Sequence, residues 1–416
     1  ERRKQKTSFF SPYLDTYMIP QLKELSDYKV DGAWIDGECW AVEPDYGDAS
    51  LARFTKETGI TEIPGKQSDK YYPEFMEYTR SLFREHLNKY VNAIHKYNPA
   101  FQITSNWSYS SMMPEKVTIG VDYLSGDVTP QNGVYRSAFE ARCLAPQGKP
   151  WDLMAWGFSW DGGKMPMSVK SAIQLEQEAA QIMAMGGGVQ FYFQQNNDLS
   201  IKPWLATMLS EIGVFVRERQ PYCQKAMPVP QIALLYPTVA YQKSAPRPYS
   251  NPLGKLEGAL SLVLDGQHAV EILMEHHLTG KMDKYPLIII PECDYLEPSF
   301  VEELKKYVSS GGHLLIMGTE TAKLFKNELG IKSLKTLNED EAFYAVGNKI
   351  GAIRSSIDSV EVNPGVKVLS TFYNGSDFRL KGKMIASTEN SIGKGKVFGV
   401  YFNAGSDYLE YKSPVL

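Results

Sequence analysis

The stretch Val30-Asp31-Gly32-Ala33-Trp34-Ile35-Asp36-Gly37-Glu38-Cys39-Trp40 decides how the first half of the chain is read. An apolar run over Ala33 to Ile35 meets a carboxylate, a glycine and a second carboxylate. That pattern reads as a buried strand giving way to a loop. Four more runs repeat it. Phe101 to Ser105 ends in Asn106-Trp107-Ser108-Tyr109, and Val121 to Leu124 ends in Ser125-Gly126-Asp127. Trp151 to Trp156 ends in Gly157-Phe158-Ser159-Trp160-Asp161, and Val189 to Phe193 ends in Gln194-Gln195-Asn196-Asn197. Between them, apolar residues at spacings of three and four predict helices over Tyr13–Leu25, Pro73–Tyr97 and Val169–Met185.

Strands alternating with helices imply a parallel sheet with right-handed crossovers. Polar and aromatic clusters at the C-terminal ends of successive strands are the signature of a (β/α)8 TIM barrel. Five strands are visible where a barrel needs eight. Residues 1–220 therefore read as the last five βα units, with the N-terminal part of the barrel upstream of Glu1. An open doubly wound sheet is the alternative, but no glycine-rich phosphate loop follows the first strand.

Three prolines in 221–230 read as a linker. Strands over 231–236, 270–273, 287–291 and 313–317, with helices over 256–264 and 298–309, then predict a flavodoxin-like or amidotransferase-like α/β domain at 228–335. Short strands and turns make residues 336–416 a β-rich C-terminal segment.

The 416 residues are 43% hydrophobic and 22% charged, which excludes a disordered or fibrous chain. A net charge of −4 gives no electrostatic footprint for nucleic acid. Apolar runs such as Leu287 to Ile290 fall far short of the ~20 residues that span a bilayer, so no membrane partner is expected. Cysteines at 39, 143, 223 and 293 form no CxxC motif, and no His/Cys cluster has zinc-ligand spacing. Neither a metal nor a cofactor is expected. The charged opening Glu1-Arg2-Arg3-Lys4-Gln5-Lys6 lacks the apolar core of a secretory signal and reads as a segment starting inside a longer protein.

Side chains alternate across a strand, so Trp34, Asp36 and Glu38 share one face, with backbones ~6.6 Å apart at successive same-face positions. Glycoside hydrolysis uses two carboxyl groups ~5–5.5 Å apart when configuration is retained and ~6.5–9.5 Å apart when it is inverted. Asp36 is the leading candidate. Glu38 is its partner, a loop acid or a residue that holds another site residue by a hydrogen bond. Asp127, two strands along, is a second candidate acid, a ligand for sugar hydroxyls or a turn residue after Gly126. Asp152, early in its strand, reads as structural. Sugars present apolar faces and hydroxyl rims, which aromatic platforms and amide hydrogen bonders match. Trp40, Asn106, Trp107, Tyr109, Trp156, Trp160, Gln194 and Gln195 supply that mixture, and Trp34 adds an apolar wall.

With these residues in view, the segment from Tyr28 to Gly37 resembles the strand-four segment of the α-L-fucosidases and related retaining glycosidases. The resemblance implies that Asp36 is the nucleophile and leaves the general acid open between Glu38 and Asp127. The longer run from Ser11-Pro12-Tyr13 to Trp40 is similar to bacterial barrel glycosidases distantly related to that group. Residues 228 to about 335 resemble the amidotransferase-like "trimerisation" domain of one β-galactosidase family. There Pro291-Glu292-Cys293-Asp294-Tyr295 lacks the glycine-flanked elbow of active amidotransferases, and no His-x-Glu pair follows. The domain is therefore expected to be a non-catalytic module, through which a homo-oligomer is possible. Together these features imply a retaining, α-L-fucosidase-like exo-hydrolase cleaving a terminal sugar from an oligosaccharide or polysaccharide. A bacterial, periplasmic or secreted setting follows from the resemblance alone. Two alternatives stand beside it. One is a β-galactosidase-like hydrolase, whose glutamates follow strands four and seven, although Trp151 to Trp160 contains no Glu. The other is a carbohydrate-binding barrel without catalysis.

Overall fold

The computed structural model describes residues 7–36, 39–128, 130–159 and 168–416, the side chains of 338–340 excepted. The chain divides into two compact units, Glu1–Met227 with Gln242–Asn251 and Pro228–Tyr241 with Pro252–Leu416.

The first unit opens with a π-helical turn, Leu14–Met18, that runs into α1 (Ile19–Asp27). Then come β1 (Gly32–Ile35), α2 (Asp48–Thr58), α3 (Tyr72–Tyr97), β2 (Gln102–Ser105), β3 (Leu124–Val128) and α4 (Gly133–Leu144). After β4 (Trp151–Trp156) a short hairpin pairs β5 (Phe158–Ser159) with β6 (Ser168–Val169), and α5 (Ala172–Ala184), β7 (Gly188–Tyr192) and α6 (Pro203–Cys223) follow. β1 pairs with β2, and β3 with β4 and β4 with β7, all parallel. Hydrogen bonds from Asp122 N to Ile103 O (3.0 Å) and from Trp107 N to Ser125 O (2.9 Å) connect the two groups. The strands thus run side by side in chain order, as right-handed βα units require. No closed barrel forms among the described strands.

The helices bury the stripes that their spacing predicts. Phe83, Leu87, Tyr90, Val91 and Ile94 of α3 join Ile103, Leu124 and Leu153 in one core. A capping box between Ser171 and Gln174 starts α5, because each side chain satisfies the other's free backbone N–H. Two expectations need correction. The third strand lies at Leu124–Val128 rather than 121–124. Asp122 explains the shift, since its Oδ2 accepts from Ile103 N (2.8 Å) and lies 3.0 Å from His95 Nε2. That carboxylate ties off the entry to the strand, and Asp127 falls inside the strand. The expected linker from Pro221 is also partly helical, for α6 continues to Cys223 with Pro221 in its last turn.

The second unit is built on one nine-stranded mixed sheet. Its elements are β8 (Ile232–Tyr236), α7 (Thr238–Ser244), α8 (Gly254–Asp265), β9 (Val270–Met274), α9 (Glu275–Leu278), β10 (Leu287–Ile290), α10 (Pro298–Ser310), β11 (His313–Met317) and α11 (Thr319–Leu324). They continue with β12 (Ile331–Val346), β13 (Lys349–Val362), β14 (Lys367–Tyr373), β15 (Lys381–Ile392), β16 (Gly395–Val400) and α12 (Ala404–Tyr411). The parallel half runs β9-β8-β10-β11-β16, the flavodoxin-like order. From β16 the sheet continues antiparallel through β15, β14, β12 and β13. The β-rich residues after 336 therefore extend the same sheet, and β12 runs across 336 without a break.

Candidate functional site

Two layers of polar side chains mark one face of the first unit's parallel strands. In the lower layer Ser125 Oγ donates to Asp152 Oδ1 (2.5 Å) and Gln190 Nε2 donates to Asp152 Oδ2 (2.9 Å). These bonds cross β3, β4 and β7 and satisfy both oxygens of a half-buried acid. Burial still raises the Asp152 pKa, against the two donors that lower it.

The upper layer lies nearer the C-terminal strand ends, at the same-face positions that alternation dictates. Asn106 Nδ2 donates both to Asp36 Oδ1 (3.0 Å) and to Asp127 Oδ2 (2.9 Å). Sharing one nitrogen, the two carboxylate oxygens lie within ~6 Å of each other. Trp107 Nε1 also donates to Asp127 Oδ2 (2.9 Å), and Trp156 Nε1 approaches Oδ1 at 3.4 Å. Asp36 is exposed, whereas Asp127 keeps only 8% of its surface. Burial pushes the Asp127 pKa up, the three donors pull it down and the nearby Asp36 charge pushes it up, with a net rise. One acid of the pair is open to solvent and the other is shielded, so the two carboxyls sit in unlike environments.

The backbone is strained where it sets this layer. Trp107 and Tyr109 adopt φ of +64° and +62°, left-handed values that bulky residues rarely take. Strain of this kind collects at functional sites, held in place by the surrounding structure. Here Trp107 N is bonded to β3, and Asn106 N donates to Ile35 O (2.8 Å). The two indole and amide donors are thereby aimed at Asp127. Among the described residues, Trp34 Nε1 and Asn106 Oδ1 are buried without a hydrogen-bond partner.

The other expected positions fall as follows. Trp34 and Trp156 are half-buried on the strands, Trp40 is half-exposed in the turn Cys39–Ala41, and Gln194 is exposed beyond β7. Trp107 is buried and serves as a donor to Asp127 rather than as an open platform. Tyr109 has no exposed surface, and its hydroxyl accepts from Ile119 N (3.2 Å). It is a core residue, a correction to its reading as a sugar platform. Glu38 and Trp160 lie outside the described residues. Two rings were not anticipated. Phe158 and Tyr192 pack on Trp156 with centroids 5.3 and 5.6 Å away, and on each other at 5.2 Å. The alternation that places Gln190 on the polar face also places Tyr192 there. A separate cavity of about 390 Å³, lined by Phe9, Val42, Glu43, Asp45, Tyr46 and His86 among others, contains neither acid of the pair.

No protein-family profile and no curated protein matches the sequence. Solved structures do resemble the fold. A β-galactosidase from Bacillus circulans sp. alkalophilus superposes with a TM-score of 0.73 at 14% identity, over 98% of this chain and 73% of that one. α-L-Fucosidase isoenzyme 2 from Paenibacillus thiaminolyticus gives 0.73 at 17% identity, over 98% and 63%. A catalytic mutant of Gan42B, a GH42 β-galactosidase from G. stearothermophilus, gives 0.65 at 13% identity, over 94% and 64%. The chain thus spans under two thirds of the fucosidase and of Gan42B. At these identities the likeness is one of fold: a mixed α/β architecture shared with glycoside hydrolases.

Proposed function

We propose that this chain belongs to a retaining glycoside hydrolase, α-L-fucosidase-like in its chemistry, that removes a terminal sugar from a glycan. Its first unit would supply the last five βα units of an eight-stranded barrel. The observation that carries the reading is the single amide of Asn106 bridging Asp36 and Asp127. It holds one oxygen of each carboxyl within ~6 Å of the other, which brings the two groups into the range that glycoside hydrolysis uses. Retention is taken from the resemblance of the Tyr28–Gly37 segment to retaining glycosidases. In the first step Asp36 attacks the anomeric carbon while Asp127 protonates the departing glycosidic oxygen. In the second step Asp127 takes a proton from water, and that water displaces Asp36 and releases the sugar. The fold likeness to an α-L-fucosidase and to β-galactosidases supports the reaction class. Trp34, Trp40, Trp156 and Gln194 would contact the sugar.

The second reading is a β-galactosidase-like hydrolase, favoured by the two β-galactosidase likenesses. Against it, residues 151–169 contain no glutamate. A panel of nitrophenyl glycosides on the full-length protein separates the readings. Turnover of the α-L-fucoside is expected. Turnover of the β-D-galactoside alone moves the assignment to the second reading, and binding without turnover of any member makes the unit a carbohydrate-binding barrel.

A further inference from the structure

Lys170 and Glu178 form a buried ion pair at 2.7 Å, with side chains only 5% and 3% exposed. Removing two charges from water is expensive, so such a pair is weak evidence for stability. Its connections point elsewhere. Lys170 directly follows β6, and its N–H donates to Gly157 O (3.0 Å). Gly157 N in turn donates to Tyr192 O (2.8 Å). Within the hairpin Val169 stands opposite Phe158. Lys170 is thus chained through the backbone to all three members of the aromatic corner Trp156, Phe158 and Tyr192. Glu178 lies midway along α5, and its carboxylate fills the place where a side chain at Gly133 would stand. A Cβ there would lie 2.0 Å from Oε1. Gly133 opens α4, the helix after the strand that carries Asp127. Glu178 Oε2 has no hydrogen-bond partner among the described residues, so the lysine is the charge that holds this acid.

We propose that Lys170 and Glu178 are positioning residues: their ion pair locks the hairpin after β4 against α5 and the start of α4, and so fixes the aromatic corner whose indole donates to Asp127. The catalytic part of this proposal rests on the glycosidase reading; the structural part does not. The test uses the full chain as wild type, Glu178→Gln, Lys170→Met and the double variant. All are labelled with 5-fluorotryptophan, and Trp156→Phe assigns the Trp156 signal in the 19F spectrum. The pair predicts that each single variant moves or broadens that signal. The double variant, which no longer buries an unpaired charge, regains thermal stability but leaves the Trp156 signal displaced. On a substrate that the wild type turns over, kcat falls about tenfold or more in all three variants while KM stays within about threefold. An unmoved Trp156 signal in the single variants overturns the proposal whether or not a substrate is known. So does a double variant that recovers both stability and kcat, which is the behaviour of a purely structural pair. A wild type that hydrolyses no glycoside removes the glycosidase reading, and the fluorine spectrum then decides the anchoring alone.

Discussion

Asp127 is pulled two ways: burial and the Asp36 charge favour its protonated form, while Asn106, Trp156 and Trp107 favour the carboxylate. A general acid must hold its proton, so activity falls as pH rises through its pKa, and the basic limb of the kcat/KM profile reports that value. Trp156→Phe removes a donor that stabilises the carboxylate. The pKa should rise and the basic limb should move to higher pH, measured on any hydrolysed nitrophenyl glycoside. A limb that stays or moves to lower pH argues against Asp127 as the acid. Asp127→Asn should lower kcat by ~10²–10⁴, the usual contribution of acid catalysis. At this scale the placing of several candidate residues is legible in the sequence. Asp36, Asn106, Asp127 and Trp156 stand at strand ends, where alternation points them to one side. Tyr109 misleads because its backbone turns left-handed and carries the ring into the core, which no pattern of residue types reports. Phe158 and Tyr192 are hidden because an aromatic residue on a strand looks the same whether it lines a site or packs a core.

Elements carry a second set of consequences. Asp358 on β13 is fully buried, and Thr336 Oγ1 donates to its Oδ1 (2.7 Å) while Oδ2 has no partner among the described residues. Burial raises its pKa to about 6, against the Thr336 bond that lowers it. An unfolded aspartate titrates near ~3.9. Below that pH both states are protonated and nothing is lost. Between that pH and about 6 the unfolded chain ionises while the folded chain keeps the proton, so stability falls across this window, and above about 6 the full cost of the buried site is in place. Asp358→Asn should match the wild type near pH 4 and be more stable at pH 7.5, by up to ~2–3 kcal/mol in urea unfolding. Where α8 meets α12, a Cβ on Gly258 would lie 1.9 Å from the carbonyl oxygen of Gly405. Gly258→Ala should destabilise the second unit by ~1–3 kcal/mol as the helices are forced apart, with faster hydrogen exchange in both helices. An unchanged urea midpoint would show that they part freely. Helices with one apolar stripe, α3 and α5, can be read from spacing. α4 cannot, because Ser137, Ala138, Phe139, Glu140 and Ala141 are buried in succession and leave no polar face for contrast.

The whole molecule joins a row of parallel strands to a nine-stranded mixed sheet. The flavodoxin-like half of that sheet is visible in the sequence as strand–helix alternation. Its antiparallel continuation is not, since β16 returns beside β11 from about 80 residues away, and pairing over such a separation leaves no local signal. Likewise the strand-end residues imply a site, but only the bridge through Asn106 brings two of its carboxylates together. The most direct measurement is therefore on Asp36→Gly in the full-length protein, with a hydrolysed nitrophenyl glycoside and added azide. Turnover without azide should fall by about a thousandfold or more, as loss of a covalent nucleophile does. Azide should restore part of the rate and yield a glycosyl azide whose anomeric configuration, read by proton NMR, is inverted relative to the substrate. Retention of more than about a tenth of the wild-type rate, a barrier change under ~1.4 kcal/mol, would contradict the account, because Asp36 would then not be the nucleophile.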